Sequence, residues 1–168
     1  MTSQDTHLAP NTLAFIALCN EYCSAVENAR EAGYDDFIAA MLRLLPRIYI
    51  CASDMVADEF ADAFIDEALT EDYYDAMRRA VEQTLGEDDT YLDVFEEDMK
   101  YSDTPIAASI SEGVADLFQV MYNYLETVRD APNDLIADAT AVVREDFEHY
   151  WARKLCDVLR ALNALRYS

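Results

Sequence analysis

The stretch PIAASISEGVADLFQVMYNYLETVRD, residues 105–130, decides the fold. Ile106, Ile110, Val114, Leu117, Met121, Tyr124 and Val128 recur at intervals of three or four, which puts them on one face of an α-helix. The stretch NDLIADATAVVREDFEHYWARKLCDVLRALNAL, residues 133–165, repeats the pattern with Ile136, Val143, Phe147, Tyr150, Trp151, Val158 and Leu165. The connection Ala131-Pro132-Asn133 is so short that the two helices must run antiparallel.

Outward from this pair the chain continues to read as helix. Three glycines (Gly33, Gly86, Gly113) and four prolines (Pro10, Pro46, Pro105, Pro132) are too few for the tight turns of an all-β protein. A first helix is predicted from Asn11 or Thr12 to about Gly33, with Phe15, Ile16, Cys19, Tyr22, Cys23 and Val26 as its core stripe. A second follows from about Asp35, burying Phe37, Ile38, Met41, Leu42, Leu45, Ile48 and Tyr49. Pro46 lacks an N–H and clashes with the carbonyl of Leu42, so a kink or break is expected there. Val56, Phe60, Phe64 and Ala68, spaced by four, predict a helix over residues 55–69. Thr70 caps another that ends at Gly86, and Glu71 and Asp72 suit its positive end. From Gly86 to Pro105 no helical period persists, which predicts an acidic loop. The fold class is therefore all-α: an up-and-down bundle of five to six helices, one domain over residues 11–168 behind a flexible tail at 1–10. A chain of 168 residues in one domain buries roughly 70% of the surface it exposes unfolded.

Charge is distributed unevenly. Of a net −22, −15 lies between Cys51 and Asp103, where 18 Asp and Glu residues face only Arg78, Arg79 and Lys100. Such a chain repels phosphate backbones and anionic lipid, so direct binding to nucleic acid or membrane is not expected. Cys19 and Cys23 lie one turn apart on an apolar stripe and read as small core residues. With no signal-peptide pattern in MTSQDTHLAPNT, the expected location is the reducing cytoplasm. The apolar stretch Phe37 to Met55 is interrupted by Arg43, Pro46 and Arg47, which argues for a core helix over a membrane span.

Two runs carry a resemblance: Ser109-Ile110-Ser111-Glu112-Gly113-Val114-Ala115-Asp116-Leu117-Phe118 and Phe147-Glu148-His149-Tyr150-Trp151-Ala152-Arg153-Lys154. In them the chain resembles the uncharacterised bacterial proteins grouped as domain of unknown function 5063. The family pattern often has acids at the columns of Glu112 and Gly113, and histidines at those of Tyr150 and Lys154. This chain keeps Glu112 and Asp116, places glycine at 113, and has His149 one column away from the histidines. The resemblance implies a helical fold and a bacterial origin, and brings no established activity.

Catalytic signatures are weak. No nucleophile elbow, Cys–His pairing or phosphate-binding glycine loop is present, and Glu87-Asp88-Asp89 lacks calcium-loop spacing. Helix-bundle metal centres use Glu-x-x-His pairs, and Asp146-x-x-His149 is the nearest approach. A helical wheel centred on Phe147 turns His149 about 160° outward, on the same side as Glu145, and His7 lies in the tail. No metal or cofactor is therefore expected.

Two regions remain as candidate sites. Arg144 and Lys154 fall within or beside the last apolar stripe, where a cation must snorkel or pair, and Asp116 and Glu112 are its natural partners. Glu112, Asp116, Trp151, Arg153 and Lys154 are thus either structural or the lining of a polar pocket for a small zwitterionic or anionic ligand, with a metal-dependent activity as a variant. The acidic middle is either a solvated face or a docking surface for a basic protein, with Asp88, Asp89, Tyr91, Phe95, Glu96, Glu97 and Tyr101 as contacts. A non-enzymatic module that binds a basic partner is the favoured reading, and the inter-helix pocket is the alternative.

Overall fold

The computed structural model describes residues 7–93 and 106–168. Its helices are α1 (Pro10–Glu27), α2 (Ala29–Ala32), α3 (Tyr34–Asp54), α4 (Glu71–Leu85), α5 (Ile110–Val128), α6 (Asn133–Asp146) and α7 (Ala152–Arg166). A π-helical turn, Phe147–Trp151, joins α6 to α7, and two short antiparallel strands, β1 (Thr90–Asp93) and β2 (Ile106–Ser109), precede α5. The all-α expectation holds, with this ladder as an addition. α5 is central, packing against α1, α4, α6 and α7, while α3 closes the bundle against α1 and α7.

Apolar burial holds these helices together. Phe15, Tyr22, Phe37, Phe118, Tyr124 and Trp151 are fully or almost fully buried, and Phe15 stands 5.2 Å from Tyr124 and 6.1 Å from Trp151, ring centre to ring centre. Polar atoms inside are matched: the Tyr22 hydroxyl donates to the Val114 carbonyl at 2.7 Å, and those of Tyr124 and Thr140 meet at 2.7 Å. At Gly113 α5 lies close against Val158 of α7. A Cβ there would stand 2.5 Å from Cγ2 of Val158, so only glycine fits without displacement.

Several boundaries differ from the sequence reading, each for a physical reason. α1 begins at Pro10, a position where the missing N–H has no partner to lose. The expected helix to Gly33 is interrupted at Asn28, whose side-chain amide donates to the Ser24 carbonyl at 2.8 Å. Gly33 and Gly86 both have positive φ, +84° and +62°, and end helices as expected. α3 passes through Pro46 without a break.

The helix expected over residues 55–69 is absent, and a strap without regular secondary structure, turning at Glu59 and Phe60, takes its place. Asp58, Asp62 and Asp66 would stack their charges one turn apart on a helix, which disfavours it. The strap instead gives the Asp66 N–H to Thr127 Oγ1 and the Leu69 N–H to Asn123 Oδ1, both at 2.8 Å. Ala61, Ala63 and Ile65 turn inward while Phe60, Asp62 and Phe64 turn outward, the alternation of extended chain.

The long helices are also shorter than their apolar patterns. α5 starts at Ile110 because Ser109 caps it, accepting the Glu112 N–H at 3.2 Å, and residues 106–109 pair with 90–93. The final helix carries the π turn, which holds one more residue per turn than an α-helix. On an uninterrupted α-helix the wheel centred on Phe147 places Lys154 near the middle of the apolar stripe. Five residues of π geometry turn it back by roughly 90°, to the edge of the stripe.

Candidate functional site

At that edge Lys154 meets Asp116 on α5, Nζ to Oδ2, at 2.7 Å. The other oxygen of Asp116 accepts the Tyr74 hydroxyl of α4 at 2.6 Å. One carboxylate thereby ties three helices, and Lys154 also lies 5.6 Å above the Tyr150 ring. Burial, followed by the hydrogen bond to Asp116 and its charge, raises the pKa of Tyr74 well above the ordinary tyrosine range. For Lys154, burial acts to lower the pKa, but the bond to Asp116 and its negative charge outweigh it and the pKa rises.

Cavities open on both sides of Asp116. One, of about 150 Å³, is bounded by Glu112, Asp116, Lys154 and Asp157, with the close approach of Gly113 and Val158 beneath. The other, of about 490 Å³, lies between α4 and α5; Glu71, Asp72, Asp75 and Asp116 line it together with Tyr74 and Gln119. Among the described residues no Lys or Arg is on its wall, although Arg78 and Arg79 reach Asp75 from α4 at 3.5 and 3.3 Å.

The remaining pocket candidates lie elsewhere. Trp151 is completely buried, donates its indole N–H to the Val143 carbonyl at 3.1 Å, and packs edge-on against Phe147 at 4.6 Å. Arg153 is exposed and lines neither cavity. Arg144 turns from the α5 acids toward Glu148 at 2.9 Å and the Met55 carbonyl at 3.2 Å, and lies over the Phe147 ring.

Among the docking candidates, Asp89 faces inward. It is 6% exposed, and its carboxylate accepts the Ser111 N–H at 2.7 Å and the hydroxyls of Ser111 and Ser109 at 2.6 and 3.0 Å. These bonds seat an acid at the positive start of α5, a structural role. Asp88 accepts the Tyr34 hydroxyl at 2.7 Å and raises that tyrosine's pKa to about 12, chiefly through this bond. Tyr91 is half-buried, with the Arg160 guanidinium over its ring at 5.9 Å. Phe95, Glu96, Glu97 and Tyr101 lie outside the described residues.

His149 points outward, its side chain 76% exposed, 3.6 Å from Glu145. With Glu148 these residues present ligand atoms within 4.8 Å of one another, on a face where Arg144 already holds Glu148. Asp146 is not among them. Among the described residues no helix is long and apolar enough to cross a membrane.

The profile of a domain of unknown function, DUF5063, matches residues 6–168. The chain belongs to that family. The resemblance carried by two helices thus extends to a DUF5063 match over nearly the whole chain. A crystal structure of a Bacteroides fragilis protein, a structural-genomics target, is similar to this chain at 26% identity, over 95% of this chain and 94% of that one, with a TM-score of 0.80. No curated protein matches.

Sequence reasoning missed Tyr74 as a partner of Asp116, since nothing in the pattern of α4 ties it to α5. The Glu71, Asp72 and Asp75 wall left a signal, three acids within the first five residues of a capped helix. A pH dependence follows from the buried groups. Cys19 and Cys23 are raised by burial and Tyr74 by burial and Asp116, so the unfolded chain loses these protons first. Their contribution is complete below the unfolded values, 9.0 for the cysteines and 10.0 for tyrosine, and is lost above them. Lys154 has the same sign, its contribution being lost above 10.5. The thermal midpoint should start to fall near pH 9 and drop faster beyond pH 10, and Tyr74→Phe should lessen the second phase; a midpoint flat to about pH 11 would contradict this.

Proposed function

We propose that this DUF5063 domain is a cytoplasmic, non-enzymatic interaction module that holds a basic protein against its acidic side. The observation that carries the reading is the 490 Å³ cleft between α4 and α5, walled by Glu71, Asp72, Asp75 and Asp116 with no cation among the described residues of its lining. A cleft lined by one sign of charge concentrates field and draws in the opposite sign. Lysine and arginine side chains have the length and charge to enter it, and a cationic surface around them would be steered by the net −15 of residues 51–103.

The test is capture of a partner from cells by the tagged protein, with low-salt and then high-salt washes. One basic protein in stoichiometric amount, released by salt, is the expected result. Replacing Glu71, Asp72 and Asp75 by their amides should weaken its binding at least about tenfold, roughly 1.4 kcal/mol. Removing first-turn acids also costs α4 about 0.3–1 kcal/mol each, so circular dichroism must verify the fold of the variant. Capture that is empty, or indifferent to these changes, would overturn the reading.

One observation favours a second reading, a small-ligand site: Glu112, Asp116, Lys154 and Asp157 converge on the 150 Å³ cavity. Opposite charges there would suit a zwitterion. The space is below the roughly 300 Å³ at which ligand pockets usually begin, and Asp116 and Lys154 already satisfy each other. The docking reading is therefore preferred.

A further inference from the structure

The strap over residues 55–69 carries two phenylalanines that the fold leaves outside. Phe60 is 84% exposed and Phe64 76%, with Val56 at 79% beside them, whereas Phe15, Phe37, Phe118 and Phe147 are all buried. These rings do not face outward through slack in the backbone. Asp58 accepts the Phe60 N–H at 3.0 Å and, through its carbonyl, the Ala61 N–H at 3.1 Å. Farther along, Thr127 and Asn123 pin Asp66 and Leu69 of the strap to α5, and Ala63 and Ile65, just before these pins, pack on the core.

Their surroundings restrict what can cover them. Asp58, Glu59, Asp62, Asp66 and Glu67 flank the rings, and no Lys or Arg occurs between Arg47 and Arg78. A second copy would bring the same acids to the same face. Nucleic acid and anionic membranes are repelled for the same reason. A purely polar cation would leave the rings in water. From this combination we infer that the strap docks a segment of a basic protein in which Lys or Arg side chains alternate with apolar ones, the apolar side chains covering Phe60 and Phe64 and the cations meeting the flanking carboxylates. The inference rests on the proposed docking function and names the surface that recognises the partner's apolar side chains.

Two labelled synthetic peptides of equal length and charge test it, one alternating Lys with Leu and the other Lys with Ser, by fluorescence anisotropy at physiological salt. Wild-type protein should bind the Lys–Leu peptide at least about tenfold more tightly, a difference of roughly 1.4 kcal/mol. Phe60→Ser/Phe64→Ser should bind both peptides alike, at the wild-type Lys–Ser level, with an unchanged thermal midpoint because both rings are exposed. Tyr167→Ser, which removes another aromatic, 77% exposed, should keep the preference. The inference is overturned if wild type shows no preference, if the double variant retains it, or if Tyr167→Ser abolishes it equally. A wild-type dimer that the double variant converts to monomer would also overturn it, making a second copy the occupant. Binding of Lys–Ser with no gain for Lys–Leu removes the strap and leaves the acidic module; binding of neither peptide removes both.

Discussion

Trp151→Ala is expected to destabilise the domain by about 3–5 kcal/mol, the range for deleting a large buried aromatic and leaving its cavity. The ring is wholly enclosed, stacks with Phe15, meets Phe147 edge-on, and sends its N–H to the Val143 carbonyl across the π turn. Chemical denaturation should show the loss in the midpoint, because a side chain that no solvent reaches contributes through packing. Trp151→Phe should recover much of the apolar term but leave the Val143 carbonyl without its indole donor. A loss below about 1 kcal/mol for the alanine variant would mean that the core closes over the vacancy, contrary to the packing described.

Asp89→Ala should cost about 2–3 kcal/mol, the next largest effect, since it removes a carboxylate that accepts from two hydroxyls and a backbone N–H in a buried site. Ser111 is completely buried, so its N–H cannot turn to water when the acceptor goes. Asp88→Ala, one residue earlier, gives up a single exposed bond to Tyr34 and should change stability by less than about 0.5 kcal/mol. Urea titrations of the two variants side by side measure the contrast, and equal losses would refute the structural role of Asp89. A binding experiment that neutralises both positions together would confuse a misfolded α5 terminus with a lost partner.

The identity of adjacent acids was thus invisible in the sequence. Glu87-Asp88-Asp89 reads as a uniform charge run, and only the return of the chain through β2 brings Ser109 and Ser111 to Asp89. Apolar periodicity served better: the stripes of α1, α3, α5 and the final helix are largely buried, with Tyr49 and Tyr150 as exposed exceptions, and Thr70, Gly33 and Gly86 mark the ends assigned to them. Periodicity failed at Val56, Phe60 and Phe64, where spacing by four was mistaken for a helical face; the acids at 58, 62 and 66 carried the opposing signal. Of the pocket candidates, Glu112, Asp116 and Lys154 gather round one cavity, while the placement of Trp151 and Arg153 required knowing that the helix changes pitch between Phe147 and Trp151.

That change of pitch also constrains how such a chain can vary by descent. Loss of any one residue from 147–151 would let the helix run straight, and every position after it would swing round together, carrying Lys154 away from Asp116 and Val158 away from Gly113. Substitutions can accumulate singly along α6 and α7, but a one-residue deletion between them is felt at many contacts at once. A one-residue deletion between the two segments should therefore be tolerated less well than a substitution within either of them.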